Sequence, residues 1–294
     1  MHFENLKDKC EYFRSLTDYK LTPNSYVIAM LDGRAFSRLI KNKYKKPFDE
    51  NFMRYMNEVA IYLCKNIQGA KFAYVQSDEI SILITDFETP ETDAPFGYRI
   101  CKLQSLLAAM ATGRFNQLVL ADEIRARSYD TRQFDTGDTI YDVKDCLDIV
   151  ENMKLAEFDC KVWNAPDYNT AYCHFLWRQN DCTRNSKQQA AQTYLSHKEL
   201  MGLECDEQIA KLLKEKDVDW NAYSDGEKYG RLVFKEKRVF KHLVADTETR
   251  GLAGADVTFM KEEEYIRNVW STHNATPFGE ENNVIRTLIP KRNE

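Results

Sequence analysis

Phe72–Phe87 reads FAYVQSDEISILITDF. Two apolar runs, Phe72 to Val75 and Ile80 to Ile84, flank the polar tetrad Gln76-Ser77-Asp78-Glu79, and β-branched and aromatic residues dominate both. This pattern predicts two strands joined by a tight turn, a β-hairpin with acids at its tip. Upstream, Tyr26 to Leu31 (YVIAML) reads as a third buried strand that ends at Asp32-Gly33, where the chain turns. If these strands are neighbours, Asp32 and Asp78 meet at one sheet edge. Two carboxylates brought together repel unless a cation sits between them, and oxygen-only ligands suit Mg²⁺, which is held by one or two carboxylates plus substrate phosphates. The pattern points to metal-assisted phosphoryl or nucleotidyl transfer. Plain turn chemistry also accounts for Asp-Gly after a strand and for a solvated Ser-Asp-Glu tip, so spacing alone leaves both readings open.

Working outward, Asn5 to Leu16 has helical spacing of apolar residues and is expected to pack as an opening helix. Ala35 to Ile40 starts a short helix beside Asp32, and the free N–H groups at its start favour phosphate. Pro47 is expected to open a long helix ending near Cys64, with Phe48, Phe52, Met56, Val59 and Leu63 on its apolar stripe. A second long helix spans Phe96 to Leu120; Arg99, Lys102 and Ser105 fall on one side of its first turns, as a phosphate clamp or a solvated polar stripe would have them. Ala156 to Trp163 supplies a closing strand, which completes a βαββαβ order. Asp122 to Glu151 reads as an acidic, irregular insertion. Asn169 to Leu195 is helical, Glu199 to Lys216 is a pair of short helices, Glu227 to Arg231 is a turn, Leu232 to Phe240 is a strand, and Glu262 to Trp270 reads as a short helix.

At 294 residues, with 43% hydrophobic and 30% charged residues, the chain can bury a sizeable core. No apolar run approaches the roughly 18 residues that span a membrane, and Met1 to Arg14 lacks an apolar core, so a cytoplasmic protein without a signal peptide is expected. The 8 cysteines show no C-x-x-C and read as reduced core residues. A net charge of −5 argues against coating nucleic acid without specificity, yet permits a local basic groove around Lys41, Lys43, Lys45 and Lys46, or around Lys235, Lys237, Arg238 and Lys241.

Six motifs then stand in order: LDGRAF, KPFD at Lys46 to Asp49, YVQSDEIS at Tyr74 to Ser81, FDCKV at Phe158 to Val162, WRQNDCTRN at Trp177 to Asn185, and VDWN followed by KYG near Asn221 and Gly230. Together they resemble the tRNA-histidine guanylyltransferase superfamily over roughly residues 25 to 235. The resemblance implies an α+β palm-type fold, a ferredoxin-like βαββαβ antiparallel sheet with helices on one face plus a helical C-terminal part. It implies a catalytic domain over 1–165, its RNA-contacting continuation over 166–240, and an extension of unknown role over 241–294. The implied activity is nucleotide addition in the 3′-to-5′ direction. ATP activates a 5′-monophosphorylated tRNA or tRNA-like end, and the 3′-hydroxyl of GTP or another NTP then attacks it. Two Mg²⁺ ions are implied on Asp32, Gly33 and Asp78, with Glu79 tuning Asp78 or meeting the metal through water. Arg34, Ala35, Phe36 and Ser37 are implied nucleotide contacts, Ser77, Arg99, Lys102 and Ser105 implied triphosphate contacts, and Asn221 and Lys228 contacts to a second nucleotide or phosphate. Lys43, Lys45, Lys46, Trp177, Arg178, Gln179, Asn185 and Lys187 are implied near the RNA end. A homotetramer built as a dimer of dimers and no membrane partner complete the expectation.

The departures are specific. Eukaryotic members carry a histidine followed by Ile-Asn-Asn-Leu-Tyr-Asn where this chain has Thr183-Arg184-Asn185-Ser186-Lys187. An arginine common two residues before the first aspartate is Met30, and a base-stacking histidine is replaced by Ser37. The chain is therefore most similar to the bacterial and viral Thg1-like proteins, and template-dependent 5′-end repair is expected ahead of dedicated G addition at position −1. A palm-fold nucleotide cyclase and a non-catalytic RNA-binding protein are the alternatives. The missing Gly-Gly-Asp/Glu-Glu-Phe hairpin argues against the first, and intact Asp32, Asp78 and Glu79 against the second.

Overall fold

The computed structural model describes residues 3–292 except 40, 42, 90, 131–142, 246–259 and 280–282. In chain order come α1 (Leu6–Ser15), β1 (Tyr26–Gly33), α2 (Phe36–Leu39), α3 (Glu50–Asn66), β2 (Ala70–Gln76), β3 (Glu79–Ile84), α4 (Ile100–Asp130) and α5 (Val143–Asn152). They are followed by β4 (Phe158–Ala165), α6 (Tyr168–Tyr194), α7 (His197–Leu200), α8 (Cys205–Lys216), α9 (Asp225–Tyr229), β5 (Arg231–Ala245), β6 (Met260–Asn274) and α10 (Val284–Leu288). The strands form one antiparallel sheet in the order β4-β1-β3-β2-β5-β6. The expected βαββαβ unit, β1-α3-β2-β3-α4-β4, supplies the four adjacent strands β4-β1-β3-β2, with β5 and β6 added beside β2.

β1 is apolar at nearly every position because both faces of the sheet are covered. On one face Val27, Ala29, Leu31, Ile80 and Ile82 pack against Met56, Val59 and Leu63 of α3 and against Leu103, Leu107 and Phe115 of α4. On the other, Tyr26, Ile28, Phe72, Tyr74 and Leu83 pack against Tyr172 and Phe175 of α6. The α3–α4 layer is the expected palm-type one, and the expected helical C-terminal part, through α6, covers the other face. The residues after 241 share in this: Ala275, Phe278, Ile285 and Ile289 are buried in the α6 core, and the Tyr172 hydroxyl donates to the Phe278 carbonyl. A third cluster, Ala190, Leu195, Leu200, Leu212 and Trp220, fastens α7 and α8 to the end of α6. Among the described residues no helix is long and apolar enough to cross a membrane.

Local chemistry shifts several expected boundaries. α3 starts at Glu50, after Pro47, because the Asp49 side chain caps it by accepting from the Phe52 N–H at 2.9 Å. α4 starts at Ile100, since Phe96, Gly97 and Tyr98 all have positive φ. The acidic segment from Asp122, expected to be irregular, is helical to Asp130 and again over α5, because Ala121, Glu123, Arg125 and Ala126 are good helix formers; the remainder of the expected insertion lies outside the described residues. Glu227–Tyr229, read as a turn, belongs to α9. The expected helix over Glu262 to Trp270 is strand β6: its helix-forming Glu262-Glu263-Glu264 pairs with β5 at every position, and backbone pairing overrides propensity. α1 forms as expected but buries no residue, leaving Leu6 and Phe13 exposed. All eight cysteines are free; Cys64 and Cys182 are buried, whereas Cys10, Cys101 and Cys173 are exposed, so the core assignment fails for these three.

Phe175 is fully buried, with its ring 4.6 Å from that of Phe72. Phe175→Ala is expected to lower unfolding free energy by about 3–5 kcal/mol, read as a reduced urea midpoint at unchanged slope.

Candidate active site

The β2–β3 connection is the two-residue turn Ser77-Asp78, with Gln76 paired to Glu79 and Ser77 at φ 43°. Positive φ at the first turn position suits the primed turns that follow the twist of paired strands. The Gly33 N–H donates to the Asp78 carbonyl at 3.2 Å, tying this turn to the end of β1. Gly33 has no room for a side chain, because a Cβ there would meet the Phe36 ring at 2.4 Å.

Register then sets a row of acids. Asp32 pairs with Glu79 on β3 and with Asp159 on β4, and directly opposed residues of an antiparallel sheet share a face. Burial, followed by the Asp159 charge, pushes the Asp32 carboxyl above the usual carboxylate range, while Lys161 and Arg178 pull it back. Burial, then the charge of Asp32, does the same to Asp78, against hydrogen bonds from its own backbone and Ser77. Glu79 differs, because Arg178 of α6 grips it with Nε and Nη2, each at 2.7 Å. Burial raises the Glu79 pKa and this fork opposes it. Arg178 also donates to Asp181 at 2.8 Å and lies 4.3 Å from the Trp177 ring.

These groups open on a cleft of about 360 Å³. Asp32, Asp78 and Glu79 line it, together with the apolar side chains Tyr44, Phe48, Phe52 and Met53 and with Arg178, Asp181 and Asn185 of α6. Lys45, Lys46 and Ser77 line it too.

The other expected contacts separate. Arg99, Lys102 and Ser105 do not line this cleft. Arg99 bridges to Lys20, just before β1, so it sits at the far end of that strand, roughly 20 Å from Asp32 at 3.3 Å per residue. It is ion-paired with Asp18 at 2.6 Å, Lys102 lies over the Phe96 ring, and the Ser105 hydroxyl donates to the Lys102 carbonyl. Arg34 pairs with Glu157 at 2.8 Å; Ala35 has φ 54°, Phe36 is buried under α3 and α4, and Ser37 is exposed. Arg178 and Gln179, expected near RNA, are buried. Gln179 donates to the Tyr229 and Thr276 carbonyls and accepts from the Phe278 N–H, so it locks the C-terminal segment to α6. Trp177 is 56% exposed beside them. Lys43 pairs with Glu123 and Lys187 with Asp206. Asn185 donates to Asp181, Asn221 to Asp219, and Lys228 to the Asn221 carbonyl. Sequence reading missed Asp159 and Lys161, although alternation in FDCKV places both on one strand face, and it missed Gln76 and Arg231 in the cleft wall.

The donor set fits a hard divalent cation. Asp32 and Asp78 have raised pKa values and no cationic partner in ion-pair contact among the described residues. No group of three or more His, Cys, Asp or Glu side chains is gathered to hold a metal among those residues. Two carboxylates, with phosphate oxygens from a substrate, suit Mg²⁺ and not a closed zinc site.

Known proteins resemble this chain in sequence and in fold. The family model for Thg1, tRNAHis guanylyltransferase, matches residues 7–166. An uncharacterised protein of Acanthamoeba polyphaga mimivirus is 26% identical over 244 residues, covering 79% of this chain and 78% of its own length. The tRNA(His) guanylyltransferase 1 of Arabidopsis thaliana is 27% identical over 191 residues, 63% of this chain but 28% of the plant protein. A bacterial tRNA(His) guanylyltransferase (Thg1)-like protein, solved in complex with ATP, superposes with a TM-score of 0.73 at 26% identity over 97% of this chain and 99% of its own.

Asp78→Asn tests the electrostatics. A carboxylate whose folded pKa is raised destabilises the fold as pH climbs through that pKa, and the amide removes this effect. The variant is expected to melt above the parent at pH 7 without divalent cations, by roughly 2–4 °C per kcal/mol relieved. The gap should close as pH falls below the ordinary carboxylate range, and on adding Mg²⁺, in calorimetric scans.

Proposed function

The chain belongs to the Thg1 family, tRNAHis guanylyltransferase, and from this we propose that it is a Mg²⁺-dependent, template-dependent 3′-to-5′ nucleotidyltransferase that repairs the 5′ ends of tRNA or tRNA-like RNA in the cytoplasm. The observation that carries the reading is the meeting of Asp32 and Asp78, two carboxylates with raised pKa values, in a cleft of about 360 Å³.

Asp32, Asp78 and the Gly33 carbonyl are the groups assigned to hold two Mg²⁺ ions, which when bound neutralise phosphate charge and lower the pKa of an attacking hydroxyl. The chain's own residues do the positioning. Arg178 fixes Glu79 by a bidentate bond, so the acid cannot swing toward Asp78. The apolar wall of Tyr44, Phe48 and Phe52 shields the reacting phosphates from water and offers faces to a base. Lys45 and Lys46 draw in the anionic substrates. Two displacements balance the reaction. An oxygen of the RNA 5′-phosphate attacks the α-phosphorus of ATP and releases pyrophosphate; the 3′-hydroxyl of the incoming NTP then attacks the RNA 5′-phosphorus and releases AMP, leaving a new 5′-triphosphate.

Base selection by template is supported by what stands at two positions. The Thr183 hydroxyl donates to the Gln179 carbonyl within its own helix, and Ser37 is small and exposed, so neither provides a ring to stack on one chosen base. Trp177 offers an exposed indole to an unpaired RNA base. Exposed Leu6 and Phe13 on α1, and Val239, Leu243 and Ile266 on the β5–β6 ribbon, are apolar surfaces available to a homotetramer.

The test is incorporation of each labelled NTP into 5′-monophosphorylated tRNA lacking its first nucleotide, with ATP and Mg²⁺ present and the opposing acceptor-strand base varied. The added base is expected to follow the template, and Asp32→Ala or Asp78→Ala to reduce incorporation by about 100-fold or more while retaining the fold. Addition of G alone to full-length tRNA-histidine, whatever the template, would make the protein a dedicated guanylyltransferase; an active Asp78→Ala enzyme removes the metal assignment.

A further inference from the structure

α6 leaves one corner of its sheet face open next to the two aspartates. On that face Ile28 of β1 is fully buried, Met30 is partly exposed and Asp32 is exposed. Their partners on the edge strand β4 are Trp163, Lys161 and Asp159, and directly opposed residues share a face. An open shelf thus runs along β4 from Asp159 to Trp163, roughly 13 Å at 3.3 Å per residue.

The far end of the shelf is aromatic. The partly exposed Trp163 ring lies 5.2 Å from that of His174 on α6, and His174 lies 5.9 Å from Trp177, which is 56% exposed. His174 is therefore a wedge between two indoles. It is bonded to the Ser81 hydroxyl at 3.1 Å, and burial, followed by the Arg178 charge, pushes its pKa down to about 4, so the ring stays fixed and neutral at pH 7. Arg178, itself held by Glu79 and Asp181, lies 4.3 Å from the Trp177 ring and steadies it. Between the indoles and Asp32 stands Lys161, exposed and without an ion-pair partner among the described residues.

Two solvent-reached rings with an ammonium beside them match what unpaired nucleotides offer, base faces to stack and phosphates between them. Paired bases stack on each other and present only edges and phosphates, so a duplex would leave the rings uncovered. An apolar protein segment would cover the rings and leave Lys161 without a counter-charge.

We propose that Trp163 and Trp177, with Lys161, form a stacking platform for unpaired nucleotides of the RNA 3′ strand, the strand opposite the 5′ end that reacts at Asp32 and Asp78. The inference rests on the nucleotidyltransferase reading above. An RNA shortened at its 5′ end has unpaired nucleotides on the opposing strand, right beside the reacting end, and the shelf starts at Asp159, opposite Asp32. Stacking is tolerant of base identity, so the platform holds the strand and leaves the choice of the added base to pairing.

The test is fluorescence-anisotropy binding of labelled, 5′-monophosphorylated RNA hairpins to the full chain, with Mg²⁺ and without nucleotide. One hairpin has a short unpaired 3′ tail, one is blunt, and one has the same tail at its 5′ end. The parent is expected to bind the 3′-tailed hairpin roughly 100-fold more tightly than the blunt one. Trp163→Ala and Trp177→Ala should each lower that ratio about tenfold, and Trp177→Phe should keep most of it. Lys161→Gln should reduce the slope of log affinity against log salt for the tailed hairpin by about 0.7. A merely structural role would weaken both hairpins alike and leave the ratio at the parent value. Trp177, on the surface, keeps the test decisive if Trp163→Ala fails to fold. A parent without the preference, an equal gain from the 5′ tail, or tryptophan variants that keep the parent ratio overturns the inference alone. A parent that binds no hairpin overturns the RNA reading above together with it.

Discussion

Asp32 and Asp78 carry like charges that the fold forces into one corner, and the surrounding structure holds them there against their repulsion. Three constraints do this. The sheet is covered on both faces, so its strands are fixed in register; the hairpin has only two residues in its turn, so Asp78 has nowhere to move; and the Gly33 N–H ties the turn to β1. A one-residue slip of β1 against β3 would turn Asp32 to the α3–α4 face and bury it among leucines and phenylalanines. The apolar register that buries Leu31 and Ile28 on opposite faces is therefore also what positions the carboxylate.

The second layer of helix explains why the residues after 241 belong to the working unit. α6 carries Arg178 to Glu79 on one turn and Gln179 to the C-terminal segment on the next residue. Phe278 and Ile285 complete the core beneath it. Without that packing, α6 would lose much of the apolar surface that seats it, and the fork on Glu79 would loosen. β5 and β6 contribute differently, since only Arg231 to Phe234 pair with β2 and the remaining pairs extend as a two-stranded ribbon. Phe240 stacks on Tyr265, and Lys241 lies near Glu262 and Glu264, exposed contacts worth little individually.

What was legible in the sequence follows from how local the signals are. The hairpin, β1 and α3 were readable because period-2 runs, a tight polar turn and a 3.6-residue stripe are encoded in neighbouring residues. β6 was not, because Lys261 to Glu264 favour helix and only a partner 17 or more residues away makes them strand. The acids of the site could be placed from strand ends and turn chemistry. The cations could not: Arg99 and Lys102 share a helix face with Ser105, but that face starts beside Lys20, at the far end of β1 from Asp32. Arg178 stands next to an exposed tryptophan in a polar helix and reads as surface; only the crossing of α6 over β3 turns it inward.

The two buried arginines show how charge is distributed in the cleft. Arg178 is matched by Glu79 and Asp181, and its role is to position them. Arg231 has only neutral oxygens. Burial pushes the guanidinium below its usual pKa, although Glu227 acts on it through space without ion-pair contact. The two guanidinium groups therefore brace different joints of the fold around the cleft: Arg178 fastens α6 to the β2–β3 hairpin through Glu79, and Arg231 fastens the start of β5 to α3 through Asn57 and to α9 through the Gly226 carbonyl.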